Sequence, residues 1–147
     1  MISGFLREDS EKSKSPWVSV TVHGFNGRSV THDALIDTGF SGTMSLLPAD
    51  VATLGLSQSG VAPTTLADGS LILSTLYFAS VEWDGIRVLT QVVADGDVPL
   101  VGMKLLAGYN LSVDVTDNGK VEIMRLVPLR YAAPPTDEDE PTEPDTR

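Results

Sequence analysis

One short stretch of this chain, residues 35–42, combines a carboxylate with the surroundings that acid–base chemistry requires. Two apolar residues lead directly into Asp37, which Thr38 and Gly39 follow. Consecutive apolar residues before a glycine are typical of a buried strand that ends in a tight turn. Such a strand delivers the Asp37 carboxylate to a loop, where it can take up or give a proton.

The rest of the composition offers little competing chemistry. The 147-residue chain has no cysteine and two histidines, His23 and His32, and no run of residues has the spacing of metal ligands. The segment from Gly39 to Gly42 is not the Gly-x-Ser-x-Gly motif of serine hydrolases. We therefore expect neither histidine to be catalytic, and we expect no metal and no other cofactor.

A single carboxylate cannot supply both the base and the acid that amide hydrolysis needs, whereas two carboxylates that share a proton can. No second Asp-Thr-Gly or Asp-Ser-Gly occurs in the chain. Asp68, Asp84 and Asp95 each precede a glycine directly and are predicted to lie in turns, with Asp68 in a type I′ turn. A catalytic Asp37 would need Asp37 of a second copy across a twofold axis. The alternative is a carboxylate that only hydrogen-bonds within its own loop.

Alternation of apolar and polar residues predicts the strands that position this loop. Three pairs of alternating segments flank Asn-Gly, Asp-Gly or Asp-Asn-Gly turns: 18–23 with 30–36, 71–83 with 86–93, and 111–115 with 121–127. Two short helices are predicted, Pro48–Leu54 before Gly55 and 103–107 before Gly108. Short strands with turns between them predict an all-β barrel or sandwich.

The charge of the chain is unevenly distributed. Residues 134–147 hold six of the twenty acidic residues and four of the nine prolines, so we expect a disordered tail after one folded domain at 1–133. The formal charge of −10 argues against nonspecific binding to nucleic acid. No apolar run approaches the roughly 20 residues of a membrane span, and no basic-then-apolar leader is present. We expect a cytoplasmic protein without membrane or nucleic-acid partners, and the absence of cysteine suits a reducing compartment.

Three motifs in a fixed order resemble those of the retropepsin-like aspartic proteases, and more closely the small prokaryotic members with Asp-Thr-Gly-Phe-Ser-Gly. Residues 35–39 resemble the catalytic loop of that family. Residues 66–70 resemble the tip of its flap hairpin, and residues 100–106 resemble its second hydrophobic-hydrophobic-Gly signature with the helix that follows. The resemblance runs from Ile2 to about Met124.

The resemblance implies an all-β, retropepsin-like closed barrel or sandwich with one or two short helices. It also implies a homodimeric aspartic endopeptidase whose two Asp37 side chains hold the lytic water. The implied catalytic residues are Asp37, Thr38 and Gly39, and the implied contacts to an extended peptide substrate are Phe40, Ser41, Ala67, Asp68 and Gly69. A second hypothesis is a noncatalytic dimeric module that binds peptides on the same scaffold. The complete Asp-Thr-Gly favours the enzyme, and the bulky Phe40 beside it favours the module.

Overall fold

The computed structural model describes residues 1–127, which form ten strands and two helices. In chain order these are β1 (Ile2–Glu8), β2 (Lys14–His23), β3 (Ser29–Ile36), β4 (Met44–Ser45), α1 (Pro48–Leu54), β5 (Gln58–Thr65), β6 (Leu71–Trp83), β7 (Ile86–Val92), β8 (Leu100–Val101), α2 (Met103–Leu106), β9 (Tyr109–Val113) and β10 (Val121–Arg125). The predicted tail at 134–147 and the last six residues of the predicted domain lie outside the described residues.

The all-β class is confirmed, and the strands form an open mixed sheet. Neighbouring strands follow the order β4-β8-β3-β2-β1-β10-β9, while β6 pairs with β2 and also with β5 and β7. Within residues 1–127, β3 and β8 pair in parallel, and the other pairs of named strands are antiparallel. The expected closed barrel is not formed by continuous ladders. Since β4 and β8 have two residues each, closure on that side amounts to one isolated bridge between Ser45 and Val93.

The core lies beneath β2, where the predicted alternation is confirmed. Val18, Val20 and Val22 are each at most 2% exposed, and Ser19 between them is exposed. Apolar side chains from β3, β4, β6, β8 and β10 complete the core, including Ala34, Met44, Val81, Val101 and Ile123. This core holds the back of the strands that converge on Asp37, so the loop after Ile36 has a rigid base.

The three predicted hairpins are all present. The tightest joins β6 to β7 through Asp84 and Gly85, whose φ values of 52° and 81° fit a type I′ turn. The hairpin of β2 and β3 has a longer loop than Asn26-Gly27 alone, because His23 already pairs with Ser29. The strands of the last hairpin end earlier than predicted, at Val113 and Arg125.

Strand β1 has no alternation that predicts it, because it changes partner at a glycine. Residues 2–4 pair with β10, and residues 5–8 pair with β2. A Cβ on Gly4 would lie 2.3 Å from the carbonyl oxygen of Trp17, so only glycine allows the crossing. The two-residue strands β4 and β8 were likewise not predicted from the pattern, since a period of two cannot be recognised in two residues.

Both predicted helices are present at nearly the predicted bounds. Helix α1 begins with Pro48, and the Asp50 carboxylate accepts a hydrogen bond of 2.9 Å from the Leu47 amide, which satisfies a donor at the helix start. It ends at Gly55, whose φ of 59° is left-handed. Helix α2 ends at Leu106, one residue before the predicted end.

Candidate active site

Asp37 lies immediately after β3, at the point where the sequence places a carboxylate in a turn. Its amide donates to the Val101 carbonyl at 2.9 Å, which extends the parallel pairing of β3 with β8 by one residue. Its carboxylate oxygen Oδ1 accepts the Gly39 amide at 2.9 Å, and its carbonyl accepts the Phe40 amide at 3.1 Å. The side chain is half-buried, and its Oδ2 atom has no hydrogen-bond partner within residues 1–127. One carboxylate oxygen thus orders the loop, while the other makes no hydrogen bond to residues 1–127.

The loop after Asp37 is held from below by the first residues of α2. The amides of Gly102, Met103 and Lys104 donate to the carbonyls of Thr43, Phe40 and Gly42 at 3.0, 2.8 and 3.1 Å. The first amides of a helix have no partner within the helix, and here the loop carbonyls satisfy them. The N-cap residue of α2, Gly102, has no side chain that could cap the helix, so the loop carbonyls serve in its place. The two segments that resemble family motifs are therefore in direct contact.

Gly102 is the point of closest approach between α2 and the loop. A Cβ built there would lie 2.2 Å from the Gly42 carbonyl oxygen and 2.6 Å from the Phe40 ring. A Cβ on Gly42 would also lie 2.6 Å from the same ring. The Phe40 ring thus lies in the space that these two glycines leave open, and it packs against its own loop.

A cleft of about 270 Å³ separates the Asp37 loop from the hairpin of β5 and β6. The loop side is formed by residues 39–44, and the hairpin side by residues 62–65 and Leu76. Gln91 and Val93 complete the lining. None of the lining side chains is charged, so the cleft suits an uncharged, extended segment more than an ion.

The structure brings together part of the predicted site. Gly39, Phe40 and Ser41 line the cleft, and Asp37 and Thr38 precede them directly, with Thr38 exposed. Other predicted contacts lie at the hairpin tip and do not line this cleft: Ala67, Asp68 and Gly69. Sequence reasoning missed the residues of β5 from Ala62 to Thr65, whose one signal is the Asp-Gly turn that requires a partner strand for β6. It also missed the rest of the lining, which carries no motif: Gly42, Thr43, Met44, Leu76, Gln91 and Val93.

The turn at the hairpin tip differs from the predicted type I′. Gly69 has a φ of 85°, whereas Asp68 is not among the residues with positive φ, and the Gly69 amide donates to the Leu66 carbonyl at 2.9 Å. The Asp68 carboxylate accepts hydrogen bonds from the hydroxyl and the amide of Ser70, and these hold its pKa below the ordinary value. The tip therefore carries a negative charge even at mildly acidic pH.

Both histidines lie elsewhere, each beside a carboxylate. His23 Nε2 is 2.6 Å from Glu82, and His32 Nε2 is 2.8 Å from the Asp50 carboxylate that begins α1. Within residues 1–127 no three His, Cys, Asp or Glu side chains are grouped as they would be to hold a metal ion. Neither helix in that range has the length and apolar character needed to cross a membrane.

Comparisons of the chain with protein-family models, with curated proteins and with solved structures found no match.

Proposed function

We propose that this chain is an aspartic endopeptidase of retropepsin-like type that acts as a homodimer. The observation that carries the proposal is the Asp37 carboxylate, held by one oxygen in a hydrogen-bonded loop whose following residues, from Gly39 onward, line an uncharged cleft. The rigid backing from β8 and α2 supports it further, because acid–base groups act efficiently only when they are held in place.

The proposed chemistry needs both subunits. One Asp37 carboxylate takes a proton from a water molecule, which attacks the peptide carbonyl carbon. The protonated Asp37 of the second subunit gives its proton to the carbonyl oxygen, which leaves a tetrahedral species with two hydroxyls. The first Asp37 then gives the proton it took from water to the amine nitrogen as the C–N bond breaks, and the second Asp37 takes a proton back from one of the hydroxyls, which restores the pair. Thr38 and Gly39 are exposed beside Asp37, as residues that meet a second copy across a twofold axis would be in one chain alone.

The hairpin of β5 and β6 is proposed to cover a substrate that binds in the cleft as an extended strand. Ala67, Asp68 and Gly69 at its tip would reach the substrate only in the dimer, since the tip does not line the cleft of one chain. Phe40 does not argue against this function, because its ring packs on Gly42 and Gly102. That packing removes the main support for the noncatalytic hypothesis.

Digestion of a peptide library, with wild type and Asp37→Asn compared at several pH values, tests the proposal. Wild type should cleave, and Asp37→Asn should lose turnover while its sedimentation still shows the dimer, because asparagine keeps the loop shape but cannot exchange the proton. Asp97→Asn is the matched control, since Asp97 is an exposed aspartate outside the loop. Cleavage by Asp37→Asn at the wild-type rate would contradict the proposal, and peptide binding without cleavage by wild type would favour the noncatalytic module.

The pH dependence is part of the same test. Two neighbouring carboxylates titrate as a coupled pair, and only the singly protonated pair has both a base and an acid. The rate should therefore be bell-shaped in pH with its optimum on the acid side. A rate that climbs steadily through neutral pH would assign the chemistry to other residues.

A further inference from the structure

A series of side-chain hydrogen bonds joins the hairpin of β5 and β6 to the connection between β7 and β8. The hydroxyls of Thr64 on β5 and Ser74 on β6 are 2.7 Å apart. The Ser74 hydroxyl donates to the carboxylate of Asp95, which lies in the connection between β7 and β8. Ser74 therefore makes one hydrogen bond within the hairpin, to Thr64, and one outside it, to Asp95.

Ser74 depends on its hydrogen bond to Asp95 because it is buried. Ser74 is 1% exposed, and a buried hydroxyl that loses its partner is destabilising. An ionised Asp95 carboxylate can only accept, so Ser74 gives its one hydrogen to Asp95, and Thr64 must then be the donor in its bond with Ser74. The Asp95 carboxylate is thus the acceptor at the end of the chain of bonds.

Asp95 is also linked to β3, the strand that ends directly before Asp37. The Asp95 amide donates to the Ser45 hydroxyl at 3.4 Å, and Ser45 pairs with Leu100 of β8. Leu100 pairs in turn with Leu35, two residues before Asp37. A continuous set of hydrogen bonds and strand pairings therefore connects the hairpin wall of the cleft, which includes Thr64, to the strand that leads into the Asp37 loop.

We propose that Asp95 is a positioning residue, whose carboxylate holds the β5–β6 hairpin at a fixed distance from the Asp37 loop. It does not line the cleft and acts through Ser74 and Thr64. A hairpin already held in place loses less conformational entropy when a peptide binds, so the tether favours substrate binding. This effect on catalysis rests on the proposed peptidase function, whereas the tether itself does not.

Amide hydrogen exchange measures the tether without reference to activity. Asp95→Ala should speed exchange about tenfold in residues 61–75 and leave β2 and β3 unchanged, because local opening of the hairpin becomes easier. Asp95→Asn should keep the wild-type pattern, since its amide oxygen still accepts from Ser74. The control is Asp97→Ala, because within residues 1–127 the Asp97 carboxylate has no hydrogen bond.

The outcomes of the exchange measurement are decisive. If amide exchange in residues 61–75 of Asp95→Ala stays as slow as in wild type, the proposed tether is wrong. It is also wrong if exchange becomes faster evenly over the whole sheet. If Asp95→Asn shows the same amide exchange pattern as Asp95→Ala, the proposed role of the carboxylate oxygen as acceptor is wrong. Faster exchange confined to the hairpin, with the Asp95→Asn and Asp97→Ala patterns unchanged, supports it.

Steady-state kinetics with a cleaved peptide test the effect on binding. Asp95→Ala should raise KM about fivefold and change kcat less than about twofold, because Asp37 and its loop are untouched. Loss of kcat at constant KM would overturn the role in substrate binding while leaving the peptidase function intact. If wild type cleaves no peptide, the proposed function fails, and hydrogen exchange still decides the tether.

Discussion

At the scale of single residues, the direction of the Phe40 ring decides how the Asp37 loop can work. Phe40 lines the cleft with part of its surface, and its ring occupies the space above Gly42 and Gly102. Neither glycine is needed for an unusual φ; each is needed because a Cβ would collide with the ring or with backbone. The two glycines and the phenylalanine therefore form one packed unit within the loop that follows Asp37.

Substitution of Gly102 by alanine tests this packing. The added methyl group would lie 2.2 Å from the Gly42 carbonyl oxygen, so the loop must move or the hydrogen bonds from α2 must lengthen. We expect Gly102→Ala to lower the free energy of unfolding by about 2–3 kcal/mol, as overpacking of a close contact does, and to reduce activity further than stability alone explains. Chemical denaturation gives the first quantity and peptide cleavage at saturating substrate gives the second.

Gly96→Ala is the matched control for that substitution. A Cβ at Gly96 would find its nearest neighbour, the Val98 amide nitrogen, at 4.0 Å, and Gly96 has no positive φ. Its unfolding free energy should stay within about 0.5 kcal/mol of wild type. Equal stability of the Gly102→Ala and wild-type proteins would show that the loop tolerates a wider gap from α2.

At the scale of secondary-structure elements, the turn between β6 and β7 is fixed to β10 by charge. The Asp84 carboxylate, whose side chain is 13% exposed, accepts hydrogen bonds from Arg125 at 2.6 Å and from the Tyr109 hydroxyl at 3.3 Å. Burial acts to raise its pKa, but the terminal amine and the Arg125 guanidinium outweigh burial and hold the pKa below its ordinary value of 3.8. The ionised carboxylate is therefore more favourable in the folded than in the unfolded chain.

Asp84→Asn should lower the free energy of unfolding by about 1–2 kcal/mol at neutral pH, as loss of a charged hydrogen bond does. Asparagine also adopts positive φ readily, so the turn itself is kept. Because the folded pKa is the lower one, the difference from wild type is full above 3.8 and shrinks as the pH falls through the folded pKa. Denaturation curves across this range measure it.

A double-mutant cycle with Arg125→Gln separates the ion pair from the turn. The two substitutions should be clearly non-additive, since each removes the same contact. Additive effects, or a difference from wild type that does not change with pH, would place the effect of Asp84 in the turn alone.

At the scale of the whole molecule, one Asp-Thr-Gly per chain makes the proposed activity depend on association of two copies. Specific activity should therefore rise with protein concentration until the dimer is saturated. The chain has a formal charge of −10, so two copies repel each other, and added salt should screen that repulsion. We expect the dimer to dissociate at lower concentrations in about 0.5 M than in about 0.05 M NaCl.

Sedimentation and activity across the same dilution series measure both effects. Activity should follow the fraction of dimer at each salt concentration. Full turnover per chain by a demonstrated monomer would contradict the shared pair of Asp37 side chains. The second acid would then have to come from the same chain.

The sequence by itself determined the features that depend on local pattern. Alternation located the strands of the three predicted hairpins and the all-β class, and glycines after Asn or Asp located the turns. The apolar residues before Asp37 located the loop. A period of two and a positive φ are properties of neighbouring residues, so sequence alone can predict them. The placement of Pro48–Leu54 and of the helix that begins at Met103 followed from the same kind of local rule.

Only the tertiary structure decided the features that depend on distant residues. The parallel pairing of β3 with β8, the change of partner at Gly4 and the open sheet each join segments far apart in the chain. The contact of the Phe40 ring with Gly102 and the bond from Ser74 to Asp95 have no period and no local motif. Such contacts depend on where the fold places distant residues: the buried Ser74 hydroxyl needs a partner, and the fold supplies Asp95.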